Sequence, residues 1–265
     1  MKKIAVFGIC GKMGREMSAE LLKDGRFEIV AGFDRCDVGS DIGEMLTGKK
    51  NGRRVYDDYD DIASSGADLI LDFTGPGIVY KNIIWAIDTS IDIIVGATGL
   101  KNQELDDIKK RSEGARSKVL IVPNFSIGAV LMIKVSRLLS RYFDDCEVIE
   151  LHHNKKKDAP SGTSIATIEA LTENKDYDRE QFVSKEEEKI KGARGGFKNG
   201  LHVHSVRLPG LLAHQQVIFG TKGQTLTIRH DSINRSSFYP GVIMAIENID
   251  SLDSFTYGLD SFIDL

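Results

Sequence analysis

The stretch Ile4-Ala-Val-Phe7-Gly8-Ile-Cys-Gly11-Lys-Met-Gly14-Arg15 decides the fold of the first half of the chain. An apolar run of buried-strand type leads into three glycines, and a segment of helical composition follows at residues 15–23. Glycine permits a tight turn and lets a pyrophosphate approach the main chain, while the N-terminus of the next helix attracts negative charge. The stretch therefore predicts a dinucleotide-binding turn, with GxxGxxG spacing in place of the commoner GxGxxG.

The end of the next apolar run, residues 27–33, bears on which dinucleotide is bound. Asp34 can accept hydrogen bonds from ribose hydroxyls, which favours NADH, and Arg35 can pair with the 2′-phosphate of NADPH. We therefore expect NADH or NADPH as cofactor. The alternative is an ordinary strand–helix turn with Asp34 as a surface acid. A phosphate loop is excluded, because Met13 follows Gly11-Lys12 where Ser or Thr is required.

Apolar runs alternate with amphipathic segments through the first 125 residues. The predicted strands are 4–7, 27–33, 68–73, 91–95 and 118–122, and the predicted helices are 15–23, 78–87 and 102–111. Such alternation predicts right-handed βαβ units, and hence a Rossmann-like, doubly wound parallel sheet of the α/β class.

Three of these strands end in small or polar residues, at the edge where a doubly wound sheet binds its ligand. The strand ends are Asp72-Phe-Thr-Gly-Pro76, Gly96-Ala-Thr-Gly99 and Val122-Pro-Asn-Phe-Ser126. Thr98 and Asn124 could contact the nicotinamide end of the cofactor, although ordinary turn chemistry explains both residues equally well.

The pattern changes from about Ser126 onwards, which predicts a second domain. Helices are expected at 127–141 and 161–171, and a mobile, polar and glycine-rich loop at 173–200. Strands are expected at 147–152, 201–207, 214–220 and 225–229, the last three antiparallel. A final helix at 239–249 is expected to return to the first domain. We therefore predict a dinucleotide-binding domain of residues 1–125 and 235–265, and an α+β domain of residues 126–234 with a mixed or antiparallel open sheet that binds substrate and carries the oligomer contacts.

Charge and cysteine content exclude several classes of protein. The formal net charge of −4 argues against nucleic acid as the main partner. Three widely spaced cysteines form no CxxC pair, which favours reduced thiols in a cytoplasmic protein. No run approaches the roughly 20 apolar residues that span a bilayer, and the N-terminus lacks the apolar core of a signal peptide. We therefore expect a cytoplasmic protein without a membrane partner.

All six histidines lie beyond residue 150. Two of them stand in the segment Glu150-Leu-His152-His153-Asn-Lys-Lys156-Lys-Asp158-Ala-Pro160-Ser161-Gly162-Thr163. Neighbours on a strand point to opposite faces, so both imidazoles reach one pocket only if the strand ends there. The residues after Pro160 offer hydroxyl and N–H donors at a helix N-terminus. The mixture suits binding a small anion and giving it a proton. A zinc site and a merely solvated lysine run are the alternatives, and we predict no metal because no cysteine lies near the pair.

Segment 150–163 resembles the signature of the 4-hydroxy-tetrahydrodipicolinate reductase family, E-x-H-H-x-x-K-x-D-x-P-S-G-T, at every fixed position. Residues 8–14 resemble the family's G-x-x-G-[RK]-M-G. Further motifs of the family resemble the stretches at 72–74, 96–99, 124–126 and 206–214, with Ala97 in place of a common Thr. The resemblance covers essentially the whole chain.

The resemblance implies a role for each matched residue. His152 would be the catalytic acid and base, and Lys156 a second proton donor. The substrate's carboxylates would be bound by His153, Gly162 and Thr163. The cofactor would be held by Gly8, Ile9, Cys10, Gly11, Lys12, Met13, Asp34, Arg35, Gly96, Ala97, Thr98, Val122, Pro123, Asn124 and Phe125.

The activity that the resemblance implies is reduction of 4-hydroxy-2,3,4,5-tetrahydrodipicolinate to tetrahydrodipicolinate by NADH or NADPH with loss of water, in lysine and diaminopimelate biosynthesis. The substrate is a small cyclic imine with two carboxylates, and the implied assembly is a homotetramer. An amino-acid or semialdehyde dehydrogenase is the nearest rival, but it leaves segment 150–163 unexplained. A non-enzymatic NAD-sensing regulator would need a basic DNA-binding element, which the charge does not support.

Overall fold

The structure is a computed structural model that describes residues 1–177 and 187–264. These residues form two compact units. One unit comprises Met1–Phe125 and Phe238–Phe262, and the other comprises Ser126–Ser237 with a short C-terminal stretch from Ile263. Residues 235–237 belong to a 3-10 helix and group with the second unit rather than the first.

The first unit is built around a parallel sheet that the N-terminal half of the chain supplies. Its elements are β1 (Lys2–Phe7), α1 (Lys12–Leu21), β2 (Phe27–Phe33), α2 (Ile42–Thr47), β3 (Val55–Tyr56), α3 (Tyr59–Ser64), β4 (Leu69–Asp72), α4 (Val79–Thr89), β5 (Asp92–Val95), α5 (Asn102–Ser112) and β6 (Val119–Ile121). The strands are buried on both faces, as their near-continuous apolar sequences require.

The second unit contains two helices and a five-stranded sheet within the described residues. Its elements are α6 (Ile127–Leu139), β7 (Asp145–His152), α7 (Gly162–Thr172), β8 (Gly196–Lys198), β9 (Leu201–Arg207), β10 (Ala213–Thr221) and β11 (Gln224–Ser232). The chain then returns to the first unit as α8 (Tyr239–Asn248) and β12 (Phe255–Tyr257). The last helix therefore groups with the first unit.

The strand order of the first sheet is β12-β6-β5-β4-β1-β2-β3, and each neighbouring pair is parallel. The order reverses between β1 and β4, which is the point where a doubly wound sheet binds its ligand. The predicted Rossmann-like sheet is confirmed.

Four short elements of this unit are absent from the prediction. They are α2, β3, α3 and β12, and each has between two and six residues, too few for a periodic pattern to register. A capping signal was present for both helices, because Asp41 and Asp58 accept hydrogen bonds from the main-chain N–H groups of Glu44 (3.0 Å) and Asp60 (2.9 Å).

The second sheet has the strand order β11-β10-β7-β9-β8 and is mixed. The prediction of antiparallel strands is correct for β10 and β11, whereas β9 is antiparallel to β8 but parallel to β7. The cause is α7, which carries the chain from β7 to β9 as a crossover connection of the kind that parallel strands require. The mixed sheet of the predicted fold class is confirmed.

The expected loop at 173–200 contains a short strand. Residues 196–198 form β8, which pairs with β9, and residues 178–186 of that loop lie outside the described residues. One face of the second sheet packs against α7, where Ile168 and Leu171 meet Val148, Val217 and Phe219. None of the described helices combines the length and the apolar character needed to cross a membrane.

Candidate active site

The glycine-rich turn after β1 adopts a conformation that only glycine accommodates. Gly8 has φ +73° and donates its N–H to the carbonyl of Phe33 (2.8 Å). A Cβ at Gly8 would lie 2.8 Å from the carbonyl carbon of Phe73, and one at Gly14 would lie 2.1 Å from the carbonyl oxygen of Gly8. Glycine is therefore required at both positions for the turn to pack against the end of β4 and against the start of α1, which is the close packing expected of a dinucleotide-binding turn.

This turn opens directly into α1. Gly11 is the N-cap and offers no side-chain oxygen, so the first main-chain N–H groups of the helix receive no side-chain cap. Those groups, from Lys12 and Met13 onwards, form an anion-binding end of the helix. Ile9 plays a different part, because its side chain is fully buried against Gly32. Only its main chain is suited to touch a ligand.

A pocket of about 900 Å³ opens at this turn within the first unit. Five residues predicted to hold the cofactor line it: Gly8, Cys10, Gly11, Asp34 and Arg35. The lining also includes Arg15, Cys36, Asp37, Phe73, Thr74 and Pro76, for which the sequence analysis assigned no role. The glycine spacing predicts the loop. It does not predict which residues at the ends of β2 and β4 line the pocket beside it.

Asp34 ties the end of β2 to the glycine turn. Its carboxylate accepts hydrogen bonds from the main-chain N–H groups of Cys10 (2.9 Å) and Cys36 (3.2 Å). The thiol of Cys10 donates to the carbonyl of Cys36 (3.2 Å), and burial together with the charges of Asp34 and Asp37 raises the pKa of that thiol to about 12. Cys10 is therefore a thiol at neutral pH and acts as a structural donor.

Three more predicted segments meet at the carboxyl ends of β4, β5 and β6. The N–H of Gly96 donates to the carbonyl of Asp72, and the N–H of Val122 to that of Val95, both at 2.8 Å. A Cβ at Gly96 would lie 2.6 Å from the ring of Phe125, so the glycine permits this ring to pack.

The exposure of the residues at these strand ends divides them into two groups. Ala97, Val122 and Phe125 have buried side chains, which leaves only their main chains for a ligand. The side chains of Thr98 and Pro123 are exposed, and that of Asn124 is half-buried.

A buried carboxylate that the sequence analysis left without a role fixes the turn after β4. Asp72 is fully buried and accepts hydrogen bonds from the N–H of Thr74 (2.7 Å), the hydroxyl of Thr74 (2.5 Å) and the amide of Asn82 (2.7 Å). Burial raises the pKa of Asp72, and these donors oppose the rise. The network holds the Phe73–Thr74 peptide against which Gly8 packs.

In the second unit, His152 is the last residue of β7 and is held by Glu150. Nδ1 of His152 is hydrogen-bonded to the carboxylate of Glu150, two residues earlier on the same face of the strand. Arg207, at the end of β9, bonds both oxygens of that carboxylate at 2.9 and 2.7 Å. The predicted acid is thus one member of a Glu–His–Arg cluster.

The ionisation of Glu150 follows from its partners. Its side chain is fully buried, and burial alone would raise its pKa. Hydrogen bonds from His152, Arg207 and Ser205 outweigh that effect and lower the pKa of Glu150 to about 2. Glu150 is therefore a carboxylate at every pH at which an enzyme of this kind works.

The loop between β7 and α7 carries the predicted lysine. The main-chain N–H of Lys156 donates to the carbonyl of His153 (3.1 Å), which forms a turn directly after the strand. The ammonium group of Lys156 bonds both carboxylate oxygens of Asp158, at 2.9 and 2.8 Å. A cis peptide joins Ala159 to Pro160 just before α7 begins.

Buried polar side chains hold the N-terminus of α7 through hydrogen bonds. Ser161 is the N-cap, and its hydroxyl accepts the N–H of Ser164 (3.2 Å). The hydroxyl of Ser164 donates to Gln215 (2.7 Å), whose amide donates to Thr167 (2.7 Å). At Gly162 a Cβ would meet nothing within 4 Å, so there is open space above the first turn. An anion can reach the N–H groups of Gly162 and Thr163 there.

The second unit therefore brings His152, His153, Lys156 and the start of α7 into one loop-and-helix segment, while the pocket at the glycine turn belongs to the first unit. In the described part of the chain, no group of three or more His, Cys, Asp or Glu side chains could hold a metal ion. Glu150, Arg207 and Gln215 hold this segment through hydrogen bonds, and no role for them was predicted from the sequence. Glu150 stood inside the quoted motif, but only the register of β7 and β9 shows that Arg207 meets it.

Several solved dehydrogenases of low sequence identity share this fold. A probable dehydrogenase from Thermotoga maritima superposes with a TM-score of 0.66 at 12% identity, over 98% of this chain and 92% of that one. GenD2 from gentamicin A biosynthesis, solved in complex with NAD, superposes with a TM-score of 0.63 at 12% identity, over 98% of this chain and 90% of that one. These likenesses place the chain, by its fold, in the class of two-domain proteins with a doubly wound sheet and a glycine-rich turn after the first strand.

The chain belongs to the dihydrodipicolinate reductase family. The model of the family's N-terminal region matches residues 2–125, and that of its C-terminal region matches residues 128–263. The 4-hydroxy-tetrahydrodipicolinate reductase of Carboxydothermus hydrogenoformans is 41% identical over 99% of this chain and 100% of its own length. A dipicolinate-bound dihydrodipicolinate reductase from Paenisporosarcina sp. TG-14 superposes with a TM-score of 0.88 at 36% identity, over 99% of this chain and 100% of that one. The predicted family is confirmed.

Proposed function

We propose that the chain reduces 4-hydroxy-2,3,4,5-tetrahydrodipicolinate to tetrahydrodipicolinate, with loss of the 4-hydroxyl as water. This is the reduction step of lysine and diaminopimelate biosynthesis, which membership of the family assigns to the chain. The observation that carries the proposal is the pairing of His152 with a buried, ionised Glu150, at the start of a loop that ends on the N-terminus of α7.

The residues of the first unit fit a pyridine nucleotide. The pyrophosphate would lie on the turn Gly8–Met13 at the start of α1, and the adenosine ribose beside Asp34 and Arg35. The strand ends at 96–98 and 122–125 would hold the nicotinamide half, mainly through main-chain groups. When bound, the reduced nucleotide supplies a hydride to the substrate ring.

Both NADH and NADPH fit the end of β2. Asp34 can accept from ribose hydroxyls, and Arg35 can pair with a 2′-phosphate; both line the pocket. The carboxylate of Asp34 is already engaged with two main-chain N–H groups, which weakens its repulsion of a phosphate. We therefore infer tolerance of either cofactor.

The second unit would hold the substrate, a ring with two carboxylates. Lys156, His153 and the first N–H groups of α7 at Gly162 and Thr163 supply the positive partners that such a dianion needs. Dipicolinate, a planar ring with two carboxylates, is bound by the Paenisporosarcina relative. Substrate binding must draw Lys156 away from Asp158 or share it with that residue.

His152 is the proton donor in this proposal. Its Nδ1 faces Glu150, and in the described residues Nε2 makes no hydrogen bond, so Nε2 is the atom that can deliver a proton to the reduced ring. Imidazole changes charge near neutrality, which suits a general acid. Lys156 is the second donor and neutralises a carboxylate in the same step.

We further propose a cytoplasmic homotetramer. The support is the face of the second sheet opposite α7, where the half-buried apolar side chains Ile149, Leu151, Val206 and Ile218 lie on adjacent strands. Analytical ultracentrifugation tests the assembly, with a single species of four times the chain mass expected and a monomer contradicting it.

The activity itself is tested by a coupled assay. Pyruvate and aspartate semialdehyde are condensed by a synthase to generate the substrate, and oxidation of NADH or NADPH is followed by absorbance. We expect oxidation that depends on the condensation product. Oxidation with an amino acid or with the semialdehyde alone, and none with the product, would favour the rival dehydrogenase.

A further inference from the structure

Two charged side chains beside His152 have no assigned part in the reaction. Glu150 is fully buried in the middle of the second sheet, and Arg207 has only 20% of its side chain exposed. They form a bidentate ion pair, although they are 57 residues apart in the sequence. A buried ion pair is weak evidence for stability, since desolvation offsets much of the attraction. The pair therefore calls for a different explanation.

We propose that Glu150 and Arg207 are positioning residues for His152, which fix its proton on Nδ1 and keep Nε2 directed outward as the proton-donating atom. The proposal rests on the proposed function, because it assumes that His152 is the general acid. Neither Glu150 nor Arg207 is required to touch substrate or cofactor. Their effect passes through the imidazole.

The tautomer of His152 follows from the charge of its partner. An ionised carboxylate has no proton to donate, so the hydrogen bond between it and Nδ1 requires the proton on nitrogen. When the imidazole has given up its acidic proton, the remaining one stays on Nδ1 and the lone pair stays on Nε2. The same nitrogen is then ready to be reprotonated for the next turnover.

Arg207 holds the carboxylate in that role. Its two terminal nitrogens bind one Glu150 oxygen each, and one of them also donates to the carbonyl of Asp158 (2.8 Å). Asp158 in turn binds the ammonium of Lys156. One guanidinium therefore links the partner of the acid to the loop that carries the second donor. A lysine has no planar fork and cannot make these three bonds at once.

The surroundings of His152 contain few other groups that titrate. On β7, the neighbour of His152 on the same face is Glu150. On the adjacent strand β9, Arg207 lies opposite His152. Ala213 lies opposite on β10, and the loop adds the Lys156–Asp158 pair. The charge on Glu150 is thus the dominant negative charge in contact with the imidazole.

The chain contains a matched control for the Glu150 cluster, centred on a residue three positions earlier on β7. Glu147 lies on the opposite face of β7 and is also paired with a histidine and an arginine: His204 at 2.8 Å and Arg194 at 2.5 Å. This second cluster has the same side-chain types, although Glu147 has 27% of its side chain exposed and Glu150 has none, and it is no part of the proposed site. It separates a general effect of breaking a Glu–His–Arg cluster from an effect on catalysis.

The test compares Glu150→Gln, Arg207→Lys and the control Glu147→Gln in steady-state assays across pH. We expect Glu150→Gln to lower kcat about 10- to 100-fold with little change in the KM of the nucleotide. Loss of the negative charge disfavours the protonated imidazole. The alkaline limb of the profile of kcat against pH should therefore move by about one pH unit toward lower pH. Arg207→Lys should lower kcat less and shift the limb in the same direction. Glu147→Gln should leave both unchanged.

A double variant decides whether the effect passes through His152. In a His152→Ala background, Glu150→Gln should lower kcat no further, because the imidazole that it positions is gone. A further loss equal to that in the wild-type background overturns the proposal. So does an unshifted pH profile in Glu150→Gln, or the same loss in Glu147→Gln.

Two safeguards keep these outcomes separable. If Glu150→Gln does not fold, Arg207→Lys carries the test, and an unaltered kcat and pH profile in that variant overturns the proposal. If His152→Ala itself retains full kcat, the proposed function of His152 fails. If His152→Ala is impaired while the Glu150 and Arg207 variants behave like wild type, only the positioning role fails.

Discussion

The carboxylate of Asp34 accepts a hydrogen bond from the main-chain N–H of Cys10, 2.9 Å away. One residue at the end of β2 therefore braces the turn expected to bind pyrophosphate and also lines the pocket where the ribose is expected. We therefore expect cofactor affinity and cofactor choice to be coupled through this contact, because a change at Asp34 alters both the shape of the turn and the local charge.

We predict that Asp34→Ala raises the ratio of kcat/KM for NADPH to that for NADH by about tenfold. The variant loses an acceptor for the ribose hydroxyls and a charge that repels the 2′-phosphate. Asp34→Asn should raise the ratio with a smaller loss of absolute activity, because an amide oxygen still accepts the N–H of Cys10. Steady-state kinetics with both cofactors measure the ratio, and an unchanged ratio in both variants refutes the assignment.

The glycine turn gives a prediction on stability. Gly8→Ala should lower the free energy of unfolding by about 2 kcal/mol or more, because an alanine at φ +73° is strained and its Cβ would lie 2.8 Å from Phe73. It should also abolish dinucleotide binding, measured by titration of NADH fluorescence. Gly25→Ala is the control, since a Cβ there meets nothing within 4 Å. Equal stability of the two variants would contradict the role of Gly8.

Much of this architecture is predictable from sequence, because its determinants are local. Strands β2 and β9 begin and end at the predicted residues, since apolar runs bounded by turn residues leave little choice. The glycine turn and segment 150–163 are likewise contiguous, and their chemistry can be inferred before any fold is known. The parallel pairing of β9 with β7 is not local, because it depends on how the crossover through α7 packs.

The difference between local and non-local determinants also explains which parts of the candidate site were not predicted from the sequence. Arg207 contacts Glu150 only because β7 and β9 are in parallel register, with His152 opposite Arg207. No sequence pattern links residues so far apart. Asp72 was quoted as part of a strand end, but its burial and its bonds to Thr74 and Asn82 emerge only from packing.

Lys156 should contribute to both substrate binding and proton transfer. We predict that Lys156→Ala lowers kcat and raises the KM of the substrate, with a combined loss in kcat/KM of roughly 100-fold or more. Lys155→Ala and Lys157→Ala are matched controls, because both neighbours are exposed whereas Lys156 is half-buried and bound to Asp158. A similar loss in all three variants would indicate a general effect of positive charge on the loop.

The ionisation of Glu150 predicts how stability depends on pH. Its pKa is lowered from 4.5 to about 2 in the folded chain, so the carboxylate stabilises the fold above pH 4.5. That contribution, of order 3 kcal/mol, is lost as the pH falls from about 4.5 to about 2. The difference in unfolding free energy between wild type and Glu150→Gln should therefore narrow across this window in urea titrations. A constant difference would show that Glu150 keeps its ordinary pKa in the folded state.

The most direct test of the central claim is the kcat of His152→Ala with the condensation product of pyruvate and aspartate semialdehyde. Loss of a general acid typically costs about 10²- to 10⁴-fold in rate, and we predict a fall in that range. The affinity for NADH should be unchanged, because the cofactor pocket is built from residues of the first unit alone. A folded His152→Ala variant that keeps the wild-type kcat would contradict the account.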